Sequence, residues 1–160
     1  KAYVTRVGEG PMPTEIHDPI GEEIAEKGGE IGATTGRPRR CGWFDAVSVK
    51  RIIQSNSISA LCLTKIDVLD GFENIKICIE YEEDDAHKAF AECMELDDVK
   101  PKYIECEGWS EPTEGVDDYE KIPENAKKFV KKIEEICGVP VDIISTGPDD
   151  ASTILVNREI

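Results

Sequence analysis

Residues 58–67, ISALCLTKID, decide the fold class, because a nearly continuous apolar run turns polar at its end. This pattern is typical of a strand that is buried on both faces and carries ligand-binding groups at its carboxyl end. A second run of the same kind, VPVDIISTGPD, follows at residues 139–149. Open α/β sheets bind their ligands beyond the carboxyl ends of such strands, so both polar ends are candidate binding positions.

The rest of the chain alternates strands and helices. Strand patterns lie at residues 2–7, 75–81, 103–109 and 152–157, with Ile75, Ile77 and Ile79 predicted on one face. A helical pattern at residues 14–29 is interrupted around Pro19, a second follows a candidate N-cap at Asp45, and a third covers residues 123–137 before Gly138. Residues 82–98 are predicted as a helix or an excursion. This order predicts one α/β domain, residues 1–160, with a mostly parallel central sheet flanked by helices.

Composition excludes several classes of protein. Hydrophobic residues make up 39% of the 160, and no apolar run approaches the roughly 20 residues that span a bilayer. The net charge of −15 repels nucleic acid and anionic membranes. Three of the six arginines nevertheless fall within residues 37–40, which favours a small anionic ligand there.

Cysteine usage predicts a reduced, cytoplasmic protein. The six cysteines include no C-x-x-C pair, and neither histidine has a partner at metal-ligand spacing, so no zinc site is expected. Cys62 and Cys78 lie in apolar runs, where a free thiol packs as a small hydrophobic group. Because the sequence opens directly in a strand pattern without an initiator Met, we expect a fragment of a longer protein.

The segment GATTGRPRR, residues 32–40, is a candidate anion-binding loop. Its hydroxyls, its glycine-freed backbone N–H groups and its guanidiniums can surround a carboxylate or a phosphate with donors, and Arg pairs with such groups bidentately. A surface turn with solvated arginines is the alternative.

The segment TKID, residues 64–67, is a candidate guanine reader. A carboxylate at Asp67 can accept both the N1–H and the exocyclic amine of guanine, whereas adenine offers the reverse pattern of donors, and the Lys65 stem can cover the ring. A solvated strand end is the alternative. The segment STGPD, residues 145–149, could line a base or ribose pocket through Ser145 and the backbone around Gly147, although alone it would be only a turn. The phosphate-binding motif G-x-x-x-x-G-K-[ST] occurs nowhere in the sequence.

Five segments in this order and spacing resemble the adenylosuccinate synthetase family: TRVGEGPMPTE, GATTGRPRRCGWFD, TKIDVLDG, EGW and VPVDIISTGPD. The stretch 82–100 looks shorter than in common bacterial enzymes and in this resembles the archaeal branch. The resemblance implies the C-terminal portion of a fold like that of the P-loop-containing nucleoside triphosphate hydrolases. It also implies GTP-dependent ligation of L-aspartate to IMP, with Mg²⁺ bound by an N-terminal portion that this sequence lacks and a homodimer of the full enzyme.

The resemblance also implies the residues of each site. Aspartate and IMP would be bound by Val7, Ala33, Thr34, Thr35, Gly36, Arg37, Pro38 and Arg39. GTP would be bound by Arg39, Lys65, Ile66, Asp67, Ser145, Thr146 and Gly147. Position 38 is Pro where many relatives have Arg, which stiffens the loop. The catalytic Asp and His and the metal ligands would lie in the N-terminal portion, so this fragment alone is expected to be inactive.

Two other interpretations remain open. A stand-alone guanine-nucleotide or anion-binding module would use the same loop and the same carboxylate without catalysis. A GTPase fragment would account for TKID but leave GATTGRPRR without a role.

Overall fold

The computed structural model describes residues 1–32, 36–82 and 99–156. Its strands and helices, in chain order, are β1 (Val4–Arg6), α1 (Pro19–Lys27), β2 (Arg40–Gly42), β3 (Phe44–Asp45), α2 (Ala46–Asn56), β4 (Leu61–Leu63), β5 (Asn74–Glu82), β6 (Lys100–Glu107), α3 (Glu124–Cys137), β7 (Val141–Ser145) and β8 (Thr153–Leu155). The helix or excursion predicted at residues 82–98 lies outside the described residues from position 83 onward.

The strands form mixed sheets. β1 pairs with β2 antiparallel, β5 lies between a parallel β3 and an antiparallel β6, and β7 lies between a parallel β4 and an antiparallel β8. The predicted α/β class is confirmed, with sheets more mixed than the sequence pattern predicted. One reason is that only a short turn joins β7 to β8, and a connection that short permits antiparallel pairing alone.

Local sequence signals account for the helix ends. Asp45 is confirmed as the N-cap of α2, since its carboxylate accepts the Ser48 N–H at 3.1 Å. Pro19 begins α1 rather than interrupting it, because the fixed φ of proline suits the first helical position and Asp18 caps the turn. Gly138 ends α3 with a φ of +75°, a conformation that favours glycine.

The main core lies between the two longer helices and the sheet built on β5. Phe129, Val130 and Ile133 of α3 are buried, as are Ile75 and Ile77 of β5. The Trp109 ring packs against Phe129 with centroids 6.0 Å apart. Among the described residues, no helix has the length and apolarity needed to cross a membrane.

The prediction that β4 is buried on both faces is wrong. Leu63 is buried, but Cys62 is exposed and Leu61 is partly exposed. Among the described residues β4 pairs with β7 alone. Alternation along the strand sends the Cys62 side chain to the face opposite Leu63, which these residues leave open. Cys78, by contrast, is confirmed as buried, and burial raises the pKa of its thiol to about 12.

Candidate functional site

The polar ends of β4 and β7 lie side by side. The two strands are parallel, with Leu63 opposite Ile144, and just beyond them the Ile66 N–H donates to the Ser145 carbonyl at 3.4 Å. Parallel pairing therefore brings residues 65–67 together with residues 145–147. We refer to these six residues as the β4–β7 edge.

Asp67 gives the β4–β7 edge an open acceptor. It begins a short 3₁₀ turn, and its Oδ1 is buried without a hydrogen-bond partner among the described residues. Burial raises the pKa of this carboxyl, and the negative charges of Asp70 and Glu114 raise it further, against the backbone hydrogen bond and Lys65, which lower it. An acceptor that is buried and unfilled is suited to paired N–H donors of a ligand.

Lys65 is held in a defined position. Its backbone lies in the left-handed region, with a φ of +61°. Its ammonium donates to the Gly28 carbonyl and lies 3.4 Å from the Glu30 carboxylate. The side chain of the intervening Ile66 is completely buried, so this residue can offer a ligand only its backbone.

The β7 side of the edge is shaped by bonds within the fold. The Thr146 hydroxyl is buried and donates to the Val116 carbonyl at 2.7 Å, so it is committed to the fold. The Ser145 hydroxyl donates to the Gly147 carbonyl at 2.9 Å, and both residues remain partly exposed. A Cβ at Gly147 would lie 2.9 Å from the Ser152 hydroxyl, which excludes a larger residue without movement.

Asp70 fixes the segment that packs against Thr146. Its Oδ1 accepts the Trp109 indole N–H at 2.5 Å and the Thr113 hydroxyl at 2.8 Å, while Oδ2 accepts the Thr113 backbone N–H at 2.6 Å. The segment continues into Gly115, whose N–H donates to the Thr146 carbonyl at 3.1 Å. Asp70 lies in the TKIDVLDG segment, and the sequence pattern indicated no role for it.

The predicted anion-binding loop turns back on itself. The Gly32 N–H donates to the Arg37 carbonyl at 2.8 Å, and the Gly36 N–H donates to the Gly32 carbonyl at 2.9 Å. A β-bridge joins Ile31 to Pro38 at the base of the loop. Gly36, Arg37 and Pro38 are exposed, whereas Ala33, Thr34 and Thr35 lie outside the described residues.

The three arginines of this loop do not form one cluster. The Arg37 side chain is exposed and, within the described parts of the chain, makes no hydrogen bond or ion pair. Arg39 donates to the Glu30 carboxylate at 3.0 Å, and its Nε is buried without a partner in the same described residues. Arg40 pairs with Glu15 and donates to the Gly10 carbonyl at 2.7 Å. Arg39 and Arg40 therefore have different partners, and the contacts of Arg40 are structural.

Val7 lies beside the base of the loop. It follows β1 directly, and the pairing of Arg6 with Arg40 places it at the end of the sheet where the loop enters β2. Its side chain is 61% exposed, the highest value among the large hydrophobic residues that the structure describes. Arg40 anchors the backbone just after it by donating to the carbonyls of Gly8 and Gly10.

Glu30, which the sequence analysis missed, joins the loop to the β4–β7 edge. Its buried carboxylate accepts Lys1 Nζ at 2.8 Å, the Tyr3 hydroxyl at 2.5 Å and Arg39 at 3.0 Å, and it pairs with Lys65 at 3.4 Å. Burial by itself would raise the pKa of Glu30, but the hydrogen bonds from Lys1 and Tyr3 and the nearby cations outweigh it and hold the pKa at about 2. These five residues are called the Glu30 cluster below.

The family model described as adenylosuccinate synthetase matches residues 1–154 of this chain. The chain belongs to the adenylosuccinate synthetase family. Two curated adenylosuccinate synthetases are close relatives. That of Alcanivorax borkumensis is 57% identical over 159 residues, and that of Histophilus somni (strain 129Pt) is 53% identical over 160 residues.

A solved adenylosuccinate synthetase has the same fold. The structure of the fully ligated enzyme from Plasmodium falciparum matches with a TM-score of 0.90 and 35% identity over 98% of this chain. The predicted fold, related to that of the P-loop-containing nucleoside triphosphate hydrolases, is thereby confirmed. The chain spans 36% and 37% of the two curated relatives and 38% of the Plasmodium enzyme, a little over a third in each case.

Use of Mg²⁺ is typical of the family. Residues 1–32, 36–82 and 99–156 contain no group of three His, Cys, Asp or Glu side chains that could hold a metal ion. The described parts of this chain therefore do not fit a complete cation site. The five cysteines in the same ranges are all free thiols.

Proposed function

We propose that this chain is the C-terminal portion, residues 1–160, of an adenylosuccinate synthetase. The complete enzyme would join L-aspartate to IMP with cleavage of GTP, giving adenylosuccinate, GDP and phosphate in de novo AMP biosynthesis. The observation that carries the proposal is the open, buried acceptor of Asp67 at the β4–β7 edge. Lys65 of the same edge is connected through Glu30 to Arg39 of the anion-binding loop. Family membership over residues 1–154 supports it.

In this proposal the β4–β7 edge reads guanine. The Asp67 carboxylate would accept two hydrogen bonds from the base, and the Lys65 stem would cover the ring. Ser145 and Gly147 are partly exposed at the same edge and would line the pocket, while Ile66 and Thr146 support it from within. A carboxylate that accepts two donors discriminates against adenine, which would leave this buried acceptor unpaired.

The loop at residues 32–40 would close on aspartate. Arg37 is exposed and without a partner in the described chain, so its guanidinium can pair bidentately with a carboxylate. Thr34 and Thr35 would add hydroxyl donors, with Ala33, Gly36 and Pro38 forming the rest of the turn. Arg39 would face GTP, and Val7 would contact the IMP ribose beside the loop.

The remaining parts of the enzyme would come from elsewhere in a longer protein. In the family's reaction the γ-phosphoryl group of GTP moves to the 6-oxygen of IMP, and the aspartate amine then displaces it. We assign the phosphate-binding loop, the catalytic Asp and His and the Mg²⁺ donors to an N-terminal portion. We further propose a cytoplasmic homodimer, and the free thiols support the reducing compartment.

Assay of the full-length protein beside the 160-residue chain tests this function. We expect adenylosuccinate to form from IMP, aspartate and GTP with the full-length protein and not with the 160 residues alone. Calorimetric titration should show GDP binding the full-length protein far more tightly than ADP. A full-length protein that binds GDP without turnover would favour the stand-alone nucleotide-binding module, and one that binds neither GDP nor aspartate would overturn the proposal.

A further inference from the structure

The Glu30 cluster places one anion among three cations that belong to different parts of the chain. Lys1 precedes β1, Arg39 lies in the anion-binding loop, and Lys65 lies at the β4–β7 edge. Without the carboxylate the three cations would repel one another and disperse into solvent. With it, they are fixed around a residue that is only 1% exposed. Arg39 of the anion-binding loop and Lys65 of the β4–β7 edge therefore share one partner, the Glu30 carboxylate.

We propose that Glu30 is a positioning residue that holds Arg39 and Lys65 in place, so that the aspartate loop and the guanine pocket are ordered together. This inference rests on the proposed function of those two sites. Glu30 touches no substrate itself, since its carboxylate is occupied by protein donors: Tyr3 and Lys1 on one side, Arg39 on the other.

The physical reason is pre-organisation. Long Lys and Arg side chains lose rotamer freedom when they bind, and a group that fixes them beforehand removes that cost from the binding step. Glu30 also shapes the loop directly, because its backbone carbonyl accepts the Arg39 N–H at 2.9 Å. One carboxylate against three cations leaves the Glu30 cluster with net positive charge.

The test replaces Glu30 in the full-length enzyme with the nearly isosteric Glu30→Gln. We expect the dissociation constant for GDP and the KM for aspartate each to rise about tenfold. Glu30→Asp keeps the charge and should recover part of both losses. The matched control, Glu105→Gln, removes the same charge from the exposed β5–β6 pair with Lys76 and should change neither value.

A double-mutant cycle separates positioning from a merely structural role. In a Lys65→Met background, Glu30→Gln should weaken GDP binding clearly less than it does in the parent, because only the effect that acts through Arg39 remains. A full, undiminished effect in that background would overturn the proposal. So would a Glu30→Gln enzyme with a lowered Tm but unchanged GDP affinity and aspartate KM.

If Glu30→Gln does not fold, Tyr3→Phe carries the test, since it removes one bond to the carboxylate and should raise both values about threefold; unchanged values would contradict the inference. If the parent enzyme itself binds neither GDP nor aspartate, the proposed function fails. A parent that binds both, with variants that are unaffected, overturns the positioning role alone.

Discussion

Asp70 accepts the backbone N–H of Thr113 at 2.6 Å, across 43 residues of sequence. With the Trp109 indole and the Thr113 hydroxyl on its other oxygen, this carboxylate holds the segment that packs against Thr146. The shape of the β4–β7 edge therefore depends on a residue that lies outside it.

Replacing Asp70 with Asn should destabilise the protein by about 2 to 3 kcal/mol, because one amide oxygen cannot accept three donors and the amide NH₂ opposes one of them. Urea unfolding of the full-length enzyme measures the loss. Asp117→Asn, which removes an exposed carboxylate paired with Lys121, is the control and should leave the unfolding curve unchanged. Equal curves for the Asp70 variant and its parent would show that this network is dispensable.

Arg37→Leu should raise the KM for aspartate about 30-fold or more while changing the KM for GTP less than threefold. A bidentate, charge-assisted contact is lost, and the guanine pocket is not touched. Because the Arg37 side chain is exposed and unpartnered in the described chain, the variant should fold like the parent. Steady-state kinetics with each substrate varied in turn decides the matter, and an unchanged aspartate KM would remove Arg37 from the site.

Asp67→Asn should relax the preference for GTP over ATP, with about a hundredfold loss of kcat/KM for GTP. The amide cannot accept both guanine donors. Glu114→Gln is the control: it removes a nearby exposed carboxylate and should retain the selectivity. Strict use of GTP by the Asp67 variant would mean that the base is read elsewhere.

The raised pKa of Asp67 also predicts a pH dependence. Above the raised pKa the folded protein carries an ionised, buried carboxylate whose desolvation costs stability; below the ordinary value of 3.8 both states are protonated and the cost is gone. The unfolding free energy of the parent relative to Asp67→Asn should therefore increase as pH falls through that window, while GDP binding weakens. Denaturation and titration across pH 7 to 4 measure both trends.

Glu30 predicts the opposite sign. Its folded pKa of about 2 lies below the ordinary 4.5, so it contributes stability that is complete above the ordinary value and is lost as pH falls towards 2. The difference corresponds to on the order of 3 kcal/mol. Glu30→Gln should flatten the acid limb of the stability curve by that amount. An unchanged limb in the variant would show that the depressed pKa is not realised in the full-length protein.

Sequence patterns predicted those features that depend on near neighbours. The N-cap at Asp45 needs only the helix that follows it, and the stripe and stop of α3 lie within fifteen residues of each other. The adjacency of residues 65–67 and 145–147 is different: the family resemblance implied one shared site, and only the structure shows the parallel pairing that brings them together.

Features that depend on distant partners could not be predicted from the sequence. Glu30 stands between glycine and isoleucine in a turn that carries no recognisable motif. Its partners Lys1 and Lys65 lie 29 and 35 residues away. The exposed face of Cys62 depends on which elements cover the sheet, which hydropathy along one strand does not record. The different partners of Arg39 and Arg40 could be assigned only from the positions of Glu30 and Glu15, which contact one arginine each.

The left-handed backbone at Lys65 limits the residue types that can replace this residue. A φ of +61° is unfavourable for side chains that branch at Cβ and comfortable for Asn or Gly. In a randomised library at position 65, only residues that tolerate this backbone conformation should give folded protein. Of these, Asn would keep the backbone conformation but lacks the positive charge of Lys65. In the proposed function, nucleotide preference can therefore be redesigned at position 65 only with the few residue types that tolerate this backbone conformation.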